Sequence, residues 1–328
     1  MHKTESHRQP VLAIDLGGTK IITTLISDKS AMIARDYTPT LAGEGPILVI
    51  DRMFSAVDRL CRLKNIGLSQ LSAISIASAG VIDMEKGTIT KSPNLPGWIN
   101  IPLRGIVEEK YKIHTFLIND ATAAALGEHH LGVGKGTSNL VLLTLGTGIG
   151  GGIIINGNLC FGSSGGAGEI GHMTIDVNGP RCSCGNIGCL EMLASGKAVA
   201  KEAIRHISRG EKSCLTEMVE GEIENITAKE ISLAAREGDS LALEVIAKAA
   251  YYLGVGIVNL VNILNPEIII IGGGMSNMGD LLLNPVRQVV KKRAFRLSSE
   301  SVRIVPAQLG EDAGVFGAAI FAFQPGMD

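Results

Sequence analysis

The sequence predicts an α/β protein assembled from two related halves. Short apolar runs that end in glycine turns alternate with segments of helical period. A strand–Gly/Thr turn–strand unit occurs twice: Asp15-Leu-Gly-Gly-Thr19 aligns with Thr144-Leu-Gly-Thr-Gly148 at an offset of 129 residues, which argues for a duplicated architecture. Glycine makes up 41 of 328 residues, against roughly 7% in an average protein, so tight turns and close backbone approaches are demanded many times over.

The elements follow in order. Residues 11–15, 21–27 and 32–37 read as strands joined by tight turns. Residues 47–63 carry Ile50, Phe54, Val57 and Cys61 at helical spacing. A strand at 73–77 and a further helix lead to an extended apolar run at 112–118, and the Ala-rich stretch 120–131 is helical. These elements make a mixed sheet with helical cover. From Asn139 the pattern restarts, with strands at 140–145 and 153–155 joined by a glycine hairpin. Beyond Met192 helices are expected at 196–208, 227–236, 239–264 and 279–295. A strand at 267–271 runs into Gly272, Gly273 and Gly274, and a last strand (302–306) and helix (312–323) follow. No low-complexity linker interrupts the chain. The domain boundary is therefore placed near 118–120. This gives a smaller N-terminal domain (1–119), with the C-terminal helix (311–328) packing back on it, and a larger domain (120–310) that holds a cysteine-rich loop.

Composition narrows the class. With 45% hydrophobic residues the chain can bury a large core, which excludes disorder. The glycines lack a three-residue period and there are only 11 prolines, which excludes collagen. A net charge of −2 offers nothing general to nucleic acid. The mean hydropathy of +0.27 raises the question of a membrane span. The longest apolar stretch, 241–264, contains Glu244, Lys248, Asn259 and Asn262 and reads as a buried helix. The first ten residues are polar and show no signal region. A cytoplasmic protein is expected, with no membrane or nucleic-acid partner and with its cysteines reduced or metal-bound.

Strand–Gly–Gly–Thr–strand places several backbone N–H groups in one concave turn, and such nests bind anions. An ordinary hairpin also wants glycine. The second turn at Gly146-Thr147-Gly148 and the cluster at Gly272–Gly274 strengthen the phosphate reading, because all three sit at strand ends, where α/β proteins place ligands. Asp15, beside the first turn, could hold Mg²⁺ through water. No G-x-x-x-x-G-K-[ST] is present, which excludes a P-loop. Gly146-x-Gly148-x-x-Gly151 matches the dinucleotide fingerprint but runs into a strand rather than a helix, so the match is coincidental.

Cys182, Cys184 and Cys189 fall within eight residues, and His172 lies ten residues upstream. Three thiolates and an imidazole form a closed four-ligand set of the structural zinc type. Cys61, Cys160 and Cys214 are isolated. Asn119-Asp120 lies at a strand-to-helix junction. Asp120 there could cap the helix or act as a general base pointed into a cleft, and position alone favours the cap. Glu169 and Glu191 flank the cysteine loop and could bind a polyhydroxylated ligand.

Taken together these motifs resemble the ROK family of repressors, open reading frames and sugar kinases. The segment Glu169-Ile-Gly-His172, then Cys182-x-Cys184-Gly-x-x-Gly-Cys189-x-Glu191, fits the family pattern without a gap. Asp15-Leu-Gly-Gly-Thr-Lys20, Leu145-Gly-Thr-Gly-Ile-Gly-Gly151, Ser92-Pro-Asn94-Leu-Pro-Gly-Trp98 and Ala313-Gly-Val-Phe-Gly-Ala-Ala319 resemble its first and second phosphate loops, its sugar loop and its terminal helix. The resemblance covers essentially the whole chain. It implies an actin-like (ribonuclease H-like) fold and ATP-dependent phosphorylation of a hexose, glucose foremost. N-acetylmannosamine or another hexose is the alternative, and a non-catalytic sugar-responsive regulator the more distant one. It further implies Asp120 as catalytic base and Gly80, Asn94, Asn119, Glu169, His172 and Glu191 as sugar-binding positions. Asp15, Gly17, Gly18, Thr19, Lys20, Gly146, Thr147, Gly148 and Gly272–Gly274 would bind ATP and Mg²⁺. His172 would serve both zinc and sugar through its two ring nitrogens. A homodimer is implied as well. Family repressors add a winged-helix segment in front; with the first phosphate turn at residue 15, none is expected here.

Overall fold

The structure, a computed structural model, describes residues 9–324. The chain forms two compact units. The first holds the residues up to Lys135, then Leu159–Ala167 and the residues from Glu311; the second holds Gly136–Asn158 and Gly168–Gly310.

In the first unit, strands β1 (Val11–Leu16), β2 (Lys20–Ile26), β3 (Met32–Pro39) and β4 (Ala73–Ser78) join a later strand, β8 (Thr115–Asn119), in the order β3-β2-β1-β4-β8. β1 pairs antiparallel with β2 and parallel with β4, and β4 pairs parallel with β8. Three short strands, β5 (Val81–Asp83), β6 (Thr88–Lys91) and β7 (Ile99–Ile101), form a separate antiparallel sheet. The helices are α1 (Pro46–Lys64), α2 (Leu103–Tyr111) and α3 (Asp120–His130), with α11 (Ala313–Phe323) returning at the end of the chain.

Strand alternation sorts this core into two layers. Leu12, Ile14, Leu16, Ile74, Ile76 and Leu117 pack with Val49, Met53, Val57 and Leu60 of α1 and with Leu103 and Val107 of α2. Val11, Ala13, Ala73, Ala77, Phe116 and Ile118 face Ala123 and Leu126 of α3 and Val315, Ala318 and Ala319 of α11. α3 and α11 meet backbone to backbone: a Cβ on Gly317 would collide with the Ala123 carbonyl. The sequence suggests a boundary at 118–120, but the units divide after Lys135, because α3 is held to α11 in the first core.

The second unit repeats the plan. β9 (Leu140–Leu145), β10 (Ile149–Ile155), β11 (Asn158–Leu159), β12 (Ile268–Gly272) and β13 (Arg303–Pro306) run in the order β11-β10-β9-β12-β13. β9 pairs antiparallel with β10 and parallel with β12, and β12 pairs parallel with β13. The offset of 129 residues carries both ends of β1 and β2 onto the ends of β9 and β10. This is the duplicated arrangement that the sequence predicts, in the actin-like form that the family resemblance implies. Helices α4 (Glu191–Ala194), α5 (Gly196–Ile207), α6 (Leu215–Met218), α7 (Ala228–Arg236), α8 (Ser240–Leu264), α9 (Asp280–Arg293) and α10 (Arg296–Ser301) complete it. α8 is long and apolar enough to cross a membrane. Its residues from Leu241 to Val261 instead supply the centre of this unit's core, with Leu282, Val286 and Val290 of α9.

Candidate active site and metal centre

In the first unit the register aligns Leu16, Ser78 and Asn119 side by side at the ends of β1, β4 and β8. The Gly17–Thr19 turn sits at this edge. Gly17 N–H donates to the Lys20 carbonyl at 3.0 Å, and the Thr40 hydroxyl donates to the Gly17 carbonyl at 2.7 Å, which fixes the turn from outside. A Cβ on Gly18 would lie 2.5 Å from the Asn94 carbonyl oxygen, so only glycine lets the 92–98 loop reach the turn. Leu95 and Trp98 are buried in the core and hold that loop down, leaving Asn94 exposed. Gly80, at φ 119°, is pressed against Lys91 and Ser92, and its carbonyl accepts from Asn119 Nδ2 at 3.1 Å. One chain of contacts therefore ties the glycine turn, the 92–98 loop and the end of β8 together.

Asn119, not Asp120, caps α3. Its Oδ1 accepts the N–H groups of Ala121 and Thr122 at 3.0 and 3.1 Å. This overturns the cap reading that position alone favours for Asp120, because the preceding residue already fills that place. Asp120 Oδ1 accepts the Ala121 N–H at 2.8 Å. Asp15 and Asp120 keep some contact with solvent, yet protein encloses both on most sides. Burial pushes Asp120 above the usual carboxylate range. Burial first, then the charge of Asp120, raises Asp15 to about 7, while Lys20 pulls it the other way. Lys20 is paired with Glu311, just before α11, and Arg35 Nη1 lies 2.9 Å from Asp312.

In the second unit, Gly146 N–H donates to the Gly148 carbonyl at 3.0 Å, and the turn leads into strand β10. That context confirms that the glycine pattern here is no dinucleotide fingerprint. Gly273 packs so closely on the Leu145 backbone that a Cβ there would collide with it, which brings the Gly272–Gly274 cluster to the same strand end.

His172, Cys182, Cys184 and Cys189 present their ligand atoms within 4.8 Å of one another. Cys182 Sγ is 3.6 Å from His172 Nδ1, and Cys184 Sγ is 3.7 Å from Cys189 Sγ. A tetrahedral Zn²⁺ with Zn–S bonds of about 2.3 Å puts its ligands roughly 3.8 Å apart, so the four residues fit the ion. Burial and the neighbouring sulfurs push the Cys189 thiol up. A cation would have to displace protons there, and its affinity should climb with pH. The other ring nitrogen, His172 Nε2, lies 3.8 Å from Glu169 Oε2.

A profile of the ROK family matches residues 11–324. The chain belongs to the ROK family. A glucokinase from Halalkalibacterium halodurans is 39% identical over 307 residues, covering 93% of this chain and 92% of that protein. The xylose repressor of Caldicellulosiruptor bescii is 34% identical over 94% of this chain and 76% of its own length. A ROK family glucokinase from Streptomyces griseus, solved with glucose and AMPPNP, superposes with a TM-score of 0.83 at 32% identity, covering 95% of this chain and 98% of that one.

The ROK motif residues fall into two sets, one per unit. Asp15, Gly17–Thr19, Lys20, Gly80, Asn94, Asn119 and Asp120 lie in the first; Gly146–Gly148, Glu169, His172, the three cysteines, Glu191 and Gly272–Gly274 lie in the second. The sequence sets Glu191 beside the cysteine loop, and the family resemblance implies a sugar-binding position there. In the structure its Oε2 accepts the N–H of Ile149, at the end of the second glycine turn, at 2.9 Å. The partners are 42 residues apart, and no local pattern announces the contact. The signal that could have found it is Gly148, whose missing side chain makes the space that the carboxylate fills.

Proposed function

We propose that this ROK protein transfers the γ-phosphoryl group of ATP to a hexose, glucose giving glucose 6-phosphate foremost, with Asp120 as general base. The observation that carries the reading is the end of β8. Asn119 takes over the capping of α3, so Asp120 is left as a carboxyl raised by burial at the strand edge that also bears the Gly17–Thr19 turn. The relatives named glucokinase and the structure with glucose and AMPPNP support it.

In this reading Asp120 Oδ1 stays on the Ala121 N–H, and Oδ2 takes the proton from the sugar hydroxyl. A base whose affinity for protons is raised toward working pH removes that proton more readily than an ordinary aspartate. Asn94 and Asn119, with Glu169, His172 Nε2 and Glu191, would orient the sugar hydroxyls. The N–H groups of the two glycine turns would face the phosphates, and Gly272–Gly274 leave room for the adenosine. Asp15 would hold Mg²⁺ through water, and the ion's charge would neutralise phosphate and offset the cost of ionising that buried carboxyl. Zn²⁺ on His172, Cys182, Cys184 and Cys189 would be structural, since four protein ligands leave no open position. The two units would serve as the two domains of the enzyme, working as a homodimer in the cytoplasm, where thiols stay reduced.

A coupled ADP-release assay over glucose, mannose, fructose, allose, N-acetylglucosamine and N-acetylmannosamine tests the proposal. Glucose is expected to give the highest kcat/KM. A higher value on N-acetylmannosamine would reassign the substrate within the family. No sugar-dependent ADP release on any of them would overturn the kinase reading in favour of a sugar-binding regulator.

A further inference from the structure

We propose that Glu191 is a positioning residue that joins the cysteine–histidine cluster to the second glycine turn, so that the metal cluster governs nucleotide affinity and not only the sugar side of the site. The inference rests on the kinase reading above. Cys189 opens the helical turn that carries Glu191, its carbonyl accepting the Met192 N–H at 3.0 Å. Between them Leu190 is fully buried, its N–H donates to the Met173 carbonyl at 2.9 Å, and its side chain fills the space over Gly256. The segment has little freedom to move independently of the cluster. Its far side grips the glycine turn at both ends. Glu191 Oε2 accepts the Ile149 N–H at 2.9 Å and occupies the place where a Gly148 side chain would stand. The Gly196 N–H donates to the Gly146 carbonyl at 2.8 Å.

A glycine turn left to itself samples many conformations, and ordering it would weaken phosphate binding. The carboxylate and the Gly196 N–H remove that freedom in advance. The Ile149 N–H is engaged by Glu191, so phosphate oxygens must meet N–H groups earlier in the turn. Loss of the cation would loosen Cys189, and with it the helical turn, the carboxylate and the phosphate site in that order.

The test is calorimetric titration of the zinc-loaded full chain with Mg²⁺–AMPPNP, with no sugar present. Removing a hydrogen bond to a charged group is expected to cost about tenfold in affinity or more. Glu191→Ala should therefore bind AMPPNP about tenfold more weakly, and Glu191→Gln should stay within about threefold, because its amide oxygen still accepts from Ile149. Chelation of the wild type should reproduce the loss, and chelation of Glu191→Ala should add little, since both act through one connection. Wild-type affinity in Glu191→Ala would overturn the proposal, as would equal further weakening of that variant and the wild type on chelation. If Glu191→Ala gives no cooperative melt, Glu191→Asp, one methylene short of Ile149, decides: it should lose affinity where Glu191→Gln does not, and wild-type affinity in both would overturn the proposal. A wild type that binds no AMPPNP overturns the kinase reading itself, and the inference with it.

Discussion

Asn119 and Asp120 show how much turns on a single position in the chain. Both residue types can cap a helix, and position alone favours Asp120 for that place; the structure gives the cap to Asn119 through two backbone N–H groups. Burial raises Asp120, so the acid limb of kcat/KM should lie above the ordinary aspartate range, the rate falling as the base is protonated. A pH–rate profile reads this, and a limb at the ordinary value would contradict it. Asp15 gives a stability prediction of defined sign. Its folded value, about 7, is above its unfolded one, so the folded state binds the proton more tightly and stability is lost as pH rises toward 7. In the absence of Mg²⁺, Asp15→Asn should raise Tm at pH 8 and change it far less at pH 4. Thermal melts at the two pH values check it; equal shifts would show that burial of the charge is not what the substitution relieves. The cysteine–histidine cluster is legible because its residues crowd into one short segment, whereas the partner of Glu191 is hidden by sequence distance.

At the scale of elements, strands with apolar alternation or continuous apolar runs were readable, and those built otherwise were not. β10 shows the limit. Residues 153–155 announce a strand, but it begins at Ile149, because Gly150, Gly151 and Gly152 carry no side chain to signal it while their backbones still pair with β9. The sheet of β5, β6 and β7 leaves no signal in the sequence because its strands are three or four residues long, too short for a period to show. The α3–α11 contact yields a prediction of this scale. Gly317→Ala would drive a Cβ into the Ala123 carbonyl, and prying the two helices apart should cost about 1–3 kcal/mol. Chemical denaturation should show a lower midpoint; an unchanged one would mean that the helices have room to spare. Chelation, or Cys184→Ser, should lower Tm, since structural zinc contributes on the order of 10 kcal/mol in small zinc domains. A melt unaffected by chelation would remove the cluster's structural role.

For the whole molecule, the duplication is legible in the sequence, because 129 residues separate two strand–turn–strand units that the structure reproduces end for end. The division into units was less visible. α3 and the Leu159–Ala167 segment lie with the first unit, the latter through Phe161 in the core around α3 and α11, and neither carries a compositional mark of that allegiance. The glycine excess is also explained at this scale: 18 of the 41 glycines lie between Gly127 and Gly188, the stretch that holds the second turn and the cysteine–histidine cluster. The central claim is that Asp120 deprotonates a hexose for attack on ATP. Its most direct test follows phosphosugar formation from glucose and Mg²⁺–ATP by phosphorus NMR, for the wild type and for Asp120→Asn, with glucose binding measured beside it. The wild type should form glucose 6-phosphate, and Asp120→Asn should bind glucose as before while kcat falls by about 10²- to 10⁴-fold. No phosphosugar from the wild type, or wild-type turnover in Asp120→Asn, would contradict the claim.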